Sequence, residues 1–152
     1  MIDADLKELY QEIILDHGRH PRNHKKLDSA SHHAHGHNPL CGDTVDVELD
    51  LDKEGRVRKV AFTGKGCAIS VASASLMTEI LIGKSEDEVR RLVEGMQHLM
   101  KGETADRVDE DDLERMMPLS GVAGFPMRVK CATLAWHTAR AALDHAGSAK
   151  TE

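Results

Sequence analysis

Aromatic residues are almost missing from this chain, with one Trp, one Tyr and two Phe in 152 residues. Any core must therefore be built from aliphatic residues, alanine and the seven methionines. Positive charge is also scarce. Lys and Arg number 20 against 26 Asp and Glu, a net charge of −6, and no basic stripe interleaves with aromatics, which argues against nucleic acid as a partner. No apolar run approaches membrane-spanning length, and the opening MIDADLKELY is acidic where a signal peptide would be basic. These absences lead us to expect a cytoplasmic protein with no membrane contact. Three cysteines are an odd number and a poor disulfide framework, so in a reducing compartment they read as metal ligands or reactive thiols. The length suits a single domain. We expect it over residues 1–146, with a tail over 147–152 that has nothing to bury and frays.

The stretch NPLCGD places Cys41 and Asp43 two residues apart around Gly42. Pro39 fixes its own φ and biases Asn38 toward extended backbone, while Gly42 lets the chain bend, so thiol and carboxylate can turn toward one point. The other two thiols, Cys67 in GKGCAIS and Cys131 in MRVKCATLAW, lie where helices are expected to begin. Three thiols and one carboxylate make a tetrahedral zinc set. Any one of these residues alone is better read as a small buried hydrophobe or a turn former; the four together, each at a loop or a helix start, point to one metal site. An alternative fourth ligand is a histidine from SHHAHGH, which holds His32, His33, His35 and His37. His17, His20, His24, His98, His137 and His145 have no partner at ligand spacing and read as surface or core. Helix N-termini favour thiolate over thiol, so Cys67 and Cys131 are expected to have lowered pKa values. Lys65, Arg128 and Lys130 supply positive charge near a site whose ligands are all anionic.

In chain order, Leu6, Leu9, Tyr10, Ile13 and Ile14 form the apolar stripe of a first helix over residues 3–17. A polar loop follows over 19–31. Val45, Val47, Leu49 and Leu51 alternate with acids, and with Val57, Val60 and Phe62 they predict an antiparallel hairpin over 44–63. Ile69, Ala72, Leu76 and Ile80 line a second helix that stops at Gly83. Ser85 and Glu88 form a capping box ahead of a third. Residues 103–124 are acidic and read as a surface excursion with a short helix at 111–116. Pro126 opens a final helix carrying Val129, Leu134, Trp136 and Leu143. The methionines at 96, 100, 116 and 117 are read as packing residues.

Four motifs in order, YQEIILDHGRHPRN, NPLCGD, GKGCAISVASASLM and MRVKCATLAW, resemble the IscU-like iron–sulfur cluster assembly proteins, and among them the zinc-binding SufU-type sulfur acceptors. The resemblance spans residues 6–143. It implies an α+β fold in which a small antiparallel sheet of about three strands is packed by helices, with a strand before Asn38 that periodicity does not reveal. Two departures from the scaffold-type pattern favour the SufU branch. Lys130, with Arg128 two positions earlier, stands where IscU scaffolds carry a histidine before the third cysteine, and the interval from Cys67 to Cys131 is longer, by about twenty residues. The resemblance implies that Cys41, Asp43, Cys67 and Cys131 bind zinc. It also implies a sulfurtransferase in which Cys41 accepts persulfide sulfur from a SufS-like cysteine desulfurase and passes it toward downstream cluster-assembly proteins. The alternative is a scaffold that assembles an iron–sulfur cluster on the same side chains.

Overall fold

Alternating Val45, Val47 and Leu49 with acids puts the aliphatics on one face of an extended chain. In the computed structural model, which describes residues 4–150, this run is strand β2 (Asp43–Leu51), and all three aliphatics are buried. It pairs antiparallel with β3 (Val57–Lys65), Leu49 opposite Val60 and Val47 opposite Phe62. Gly55 turns the hairpin at φ 78°, a left-handed conformation that side chains disfavour.

The strand before Asn38 is β1 (His32–Asn38), antiparallel to β2 with His35 opposite Asp46 and Asn38 opposite Asp43. Its inward face carries Ala34, Gly36 and Asn38, all buried. Aliphatic residues are missing there because helix α5 (Pro126–Leu143) lies hard against the strand. A Cβ on Gly36 would sit 2.0 Å from Thr138 Oγ1 and 3.2 Å from Leu134 Cδ1. Thr138 cannot yield freely, since its hydroxyl donates to Leu134 O at 2.7 Å. Gly36→Ala is therefore expected to destabilise the protein by about 1–3 kcal/mol through overpacking, read as a lower urea midpoint. An unchanged midpoint would mean that α5 is not seated as tightly as the distances imply.

The expected three-stranded antiparallel sheet gains a fourth strand, in the order β3-β2-β1-β4. Strand β4 (Ser148–Lys150) runs parallel to β1, and His35 N donates to Gly147 O at 2.9 Å. This corrects the expectation of a frayed tail over these residues: backbone pairing to β1 holds them, and Ala149 packs partly against the core. The expectations for residue 3 and for residues 151–152 lie outside the described residues.

Helices pack the inner face of the sheet. Helix α1 (Ala4–Arg19) lies at the surface, with Leu9 and Leu15 exposed and only His17 buried. Helix α2 (Ala68–Leu81) is central and buried nearly all round, so its polar side chains need partners. Ser73 donates to Ala132 O and accepts from Trp136 Nε1, and Ser75 Oγ meets both His17 Nδ1 and Arg22 N. Asn23 Nδ2 donates to Thr78. The polar HGRHPRN segment thus ties the end of α1 to α2. Helix α3 (Glu86–Met100) opens on the Ser85 and Glu88 capping box. The excursion expected over 103–124 instead contributes to the core: helix α4 (Glu110–Met116) and the 3-10 turn Met117–Val122 bury Met116, Leu119 and Val122. Their acids face outward, except Asp112, which is buried against Lys84 Nζ at 2.9 Å. No helix among the described residues is long and apolar enough to cross a membrane.

Candidate functional site

Strands β1 and β2 are joined by the four residues Pro39 to Gly42, and Cys41 rides on this turn. Asn38 braces it from below. Its carbonyl accepts from Gly42 N at 2.9 Å, its Oδ1 accepts from Leu40 N at 3.1 Å, and Gly42 has φ 75°. Asp43, the first residue of β2, is buried, with Oδ1 accepting from Cys67 N at 3.2 Å and Oδ2 lying 3.7 Å from Cys67 Sγ. Cys67 is the N-cap of α2. Close approach requires the glycine at 64, where a Cβ would lie 2.2 Å from Thr44 O, and Gly66 is tight against the site, its Cβ position 3.1 Å from Asp43 Cγ. Cys131 is buried in the second turn of α5, its Sγ 3.6 Å from Cys41 Sγ and 3.5 Å from Met127 O.

The donor atoms of Cys41, Asp43 and Cys131 lie within 4.8 Å of one another. Cys67 is not in that mutually close set, and joins it through its contacts with Asp43. A tetrahedral zinc with thiolate and carboxylate ligands would hold sulfur atoms about 3.8 Å apart and sulfur about 3.6 Å from oxygen. The observed 3.6 Å between Cys41 and Cys131 and 3.7 Å between Cys67 and Asp43 match those spacings. The donor set therefore fits the ion. Soft thiolates with one hard carboxylate also suit iron in a sulfide-bridged cluster.

The three thiols differ in access: Cys41 is exposed, Cys67 half-buried and Cys131 buried. For Cys131 the expected lowering of the pKa is reversed. Burial pushes this thiol above the ordinary thiol range, and hydrogen bonding with Asp43, Cys41 and Cys67 and the charge of Cys67 push it the same way. The helix field that prompted the opposite expectation falls off within the first turn, and Cys131 lies beyond it. Of the expected supporting charges, Lys65 and Arg128 are exposed and make no ion pair with Asp43 among the described residues, while Lys130 is half-buried. Arg128 lines an apolar groove of about 800 Å³ with Ile14, Leu15, Ile69 and Phe125. Leu40, next to Cys41, and Met127, whose carbonyl lies at Cys131 Sγ, are exposed apolar residues beside the site.

None of the four histidines of β1 joins the set. His33 and His35 are exposed and His37 half-exposed, on the face of the sheet away from α5, while His32 stacks on His145 at 4.5 Å. The residue the sequence reading overlooked is Asn38, wholly buried, with Nδ2 lacking a hydrogen-bond partner. Its place before proline in NPLCGD was visible, but an Asn-Pro pair signals a turn and says nothing of burial.

The profile of the NifU-like N terminal domain matches residues 9–145. Over 134 residues the chain is 39% identical to the zinc-dependent sulfurtransferase SufU of Bacillus subtilis, covering 88% of each chain. Over 147 residues it is 35% identical to the iron–sulfur cluster assembly scaffold protein IscU of Streptococcus pyogenes, covering 97% of this chain and 90% of the relative. Among solved structures, a candidate iron–sulfur cluster assembly scaffold protein for the SUF system from Fervidobacterium islandicum superposes with a TM-score of 0.80 at 34% identity, covering 90% of this chain and 97% of the other.

Proposed function

The chain belongs to the NifU-like N-terminal domain family, and from that premise we propose that it is a zinc-dependent sulfur acceptor in iron–sulfur cluster assembly. Cys41 receives persulfide sulfur from a SufS-like cysteine desulfurase and hands it to downstream cluster-assembly proteins. The observation that carries this reading is the contrast in access within one cluster: Cys41 is exposed on a turn, and its neighbour Cys131 is buried 3.6 Å away. A partner's persulfide can reach the first and not the second.

Cys41, Asp43, Cys67 and Cys131 would hold the zinc. Bound there, it would keep the thiolates deprotonated and shielded from oxidation. In the transfer, the Cys41 thiolate attacks the outer sulfur of the donor persulfide. A new sulfur–sulfur bond forms on Cys41, the donor's own bond breaks, and the electron pair leaves with the donor cysteine as thiolate. No net oxidation occurs, so no further reagent is needed.

Metal content tests the reading. Protein purified without air from cells given both iron and zinc is expected to carry about one tightly held zinc per chain and no visible chromophore. An iron chromophore with acid-labile sulfide would overturn it in favour of a cluster scaffold on the same ligands, the function named for the Streptococcus relative.

Asp43 is the one hard oxygen among three sulfurs. Asp43→Ala is expected to speed zinc loss to a chelator by more than the ~10–100-fold typical of removing an outer partner of a metal ligand. The fold should survive, because the side chain's contacts are local, the bond from Cys67 N and its approaches to the thiols of Cys67 and Cys131. Zinc retention equal to that of the parent would remove Asp43 from the ligand set.

A further inference from the structure

The histidines of β1 remain unused by this centre, and the strand gives them an order that the sequence alone does not show. His33, His35 and His37 alternate with buried Ala34, Gly36 and Asn38, so they share the outer face of the sheet. The facing positions on β2 are Glu48, Asp46 and Thr44. Pairing to β2 on one side and β4 on the other fixes the backbone beneath them.

His35 Nδ1 lies 3.0 Å from Asp46 Oδ1, with both side chains about half exposed. When a neutral imidazole donates its Nδ1–H to a carboxylate, Nε2 keeps its lone pair and points away from the bond. Metal-ligating histidines are oriented in this way, and the carboxylate raises their basicity. Same-face neighbours on a strand are about 6.5–7 Å apart, and an imidazole nitrogen reaches far enough from the backbone for two adjacent rings to meet at one ion with bonds of about 2.0–2.1 Å. The rings have not gathered: among the described residues, no three donor atoms of this stripe lie within 4.8 Å of one another. Gathering them takes rotations of side chains that pack no core.

We propose that His33, His35 and His37, with Asp46 orienting His35, form a second, sulfur-free site for a divalent first-row transition ion on the outer face of the sheet. Two or three imidazoles completed by water select zinc, cobalt or nickel over magnesium or calcium. With fewer protein donors and full solvent access, the site binds more weakly than the thiolate centre. It does not depend on what the thiolate centre does.

The test adds cobalt(II) to zinc-loaded protein that carries no histidine tag. Cobalt on thiolate shows sulfur-to-metal charge transfer in the near ultraviolet, whereas cobalt on imidazole and water does not. One added equivalent is expected to bind without that absorption in the parent, and to be lost when all three histidines are changed to glutamine. In the parent, zinc beyond the first equivalent is expected to shift the ring nitrogen resonances of His33, His35 and His37, leaving those of His20 and His98 in place. Binding of only the thiolate equivalent, survival of the second equivalent in the triple variant, or unshifted β1 histidine resonances would each overturn the proposal.

Discussion

Removing zinc with a chelator at neutral pH is expected to lower the melting temperature by about 10 °C without unfolding the protein. An ion held at a thousand times its dissociation constant stabilises a fold by about 4 kcal/mol, and for a chain of this size each kcal/mol shifts the midpoint by about 2–4 °C. The proposed ligands come from the β1–β2 turn with the first residue of β2, the N-cap of α2 and the second turn of α5, so one ion would tie together three segments distant in sequence. The core does not need that tie. Val47, Leu49, Met77, Ile80, Leu134 and Trp136 are wholly buried in one cluster, and α5 is already locked on β1 at Gly36. The metal-free protein should therefore keep its sheet and helices. Faster amide exchange should be confined to residues 39–43 and 66–68. Equal melting temperatures with and without metal would sink the linkage. Complete unfolding on chelation would show that the core is weaker than its packing implies.

What the sequence made legible was whatever a local pattern governs. Alternation in β2 specified its buried face, the Ser85 and Glu88 pair specified the start of α3, and the chemistry of thiol and carboxylate singled out residues that the fold brings close together. Non-local demands stayed hidden. Strand β1 shows no aliphatic alternation in part because α5, a hundred residues away, comes so close at Gly36 that no side chain fits there. Residues 103–124 look like solvated loop because their acids outnumber Met116, Leu119 and Val122, although those three are buried. Strand β4 is held through its backbone, which leaves no mark on side-chain pattern. The raised pKa of Cys131 is hidden for a related reason: a helix start can be read from Pro126, but desolvation depends on what packs around the thiol.

After reaction with a cysteine desulfurase and its cysteine substrate, mass spectrometry of alkylated peptides is expected to find one extra sulfur on Cys41, and Cys41→Ser should reduce sulfur uptake to background. Transfer needs a thiolate that a bulky partner can approach along the sulfur–sulfur axis. Cys131 fails on access: it is 5% exposed, and its sulfur is turned into α5 against Met127 O. Cys67 is half-buried, with its Sγ 3.7 Å from the buried Asp43 carboxylate, so it is less open to an approaching partner than Cys41. Cys41 is exposed on a turn whose two inner hydrogen bonds both end on Asn38. The turn can therefore pivot on one residue while the strands on either side stay paired. Exposed Leu40 beside it in the turn, and exposed Met127, whose carbonyl lies at Cys131 Sγ, offer the partner apolar surface. Cys67→Ser and Cys131→Ser are expected to weaken metal binding yet still take up sulfur on Cys41. An extra sulfur found mainly on Cys131, or undiminished uptake by Cys41→Ser, would overturn the assignment, because a buried thiol could then be reached only by an opening of α5 that its packing against β1 opposes.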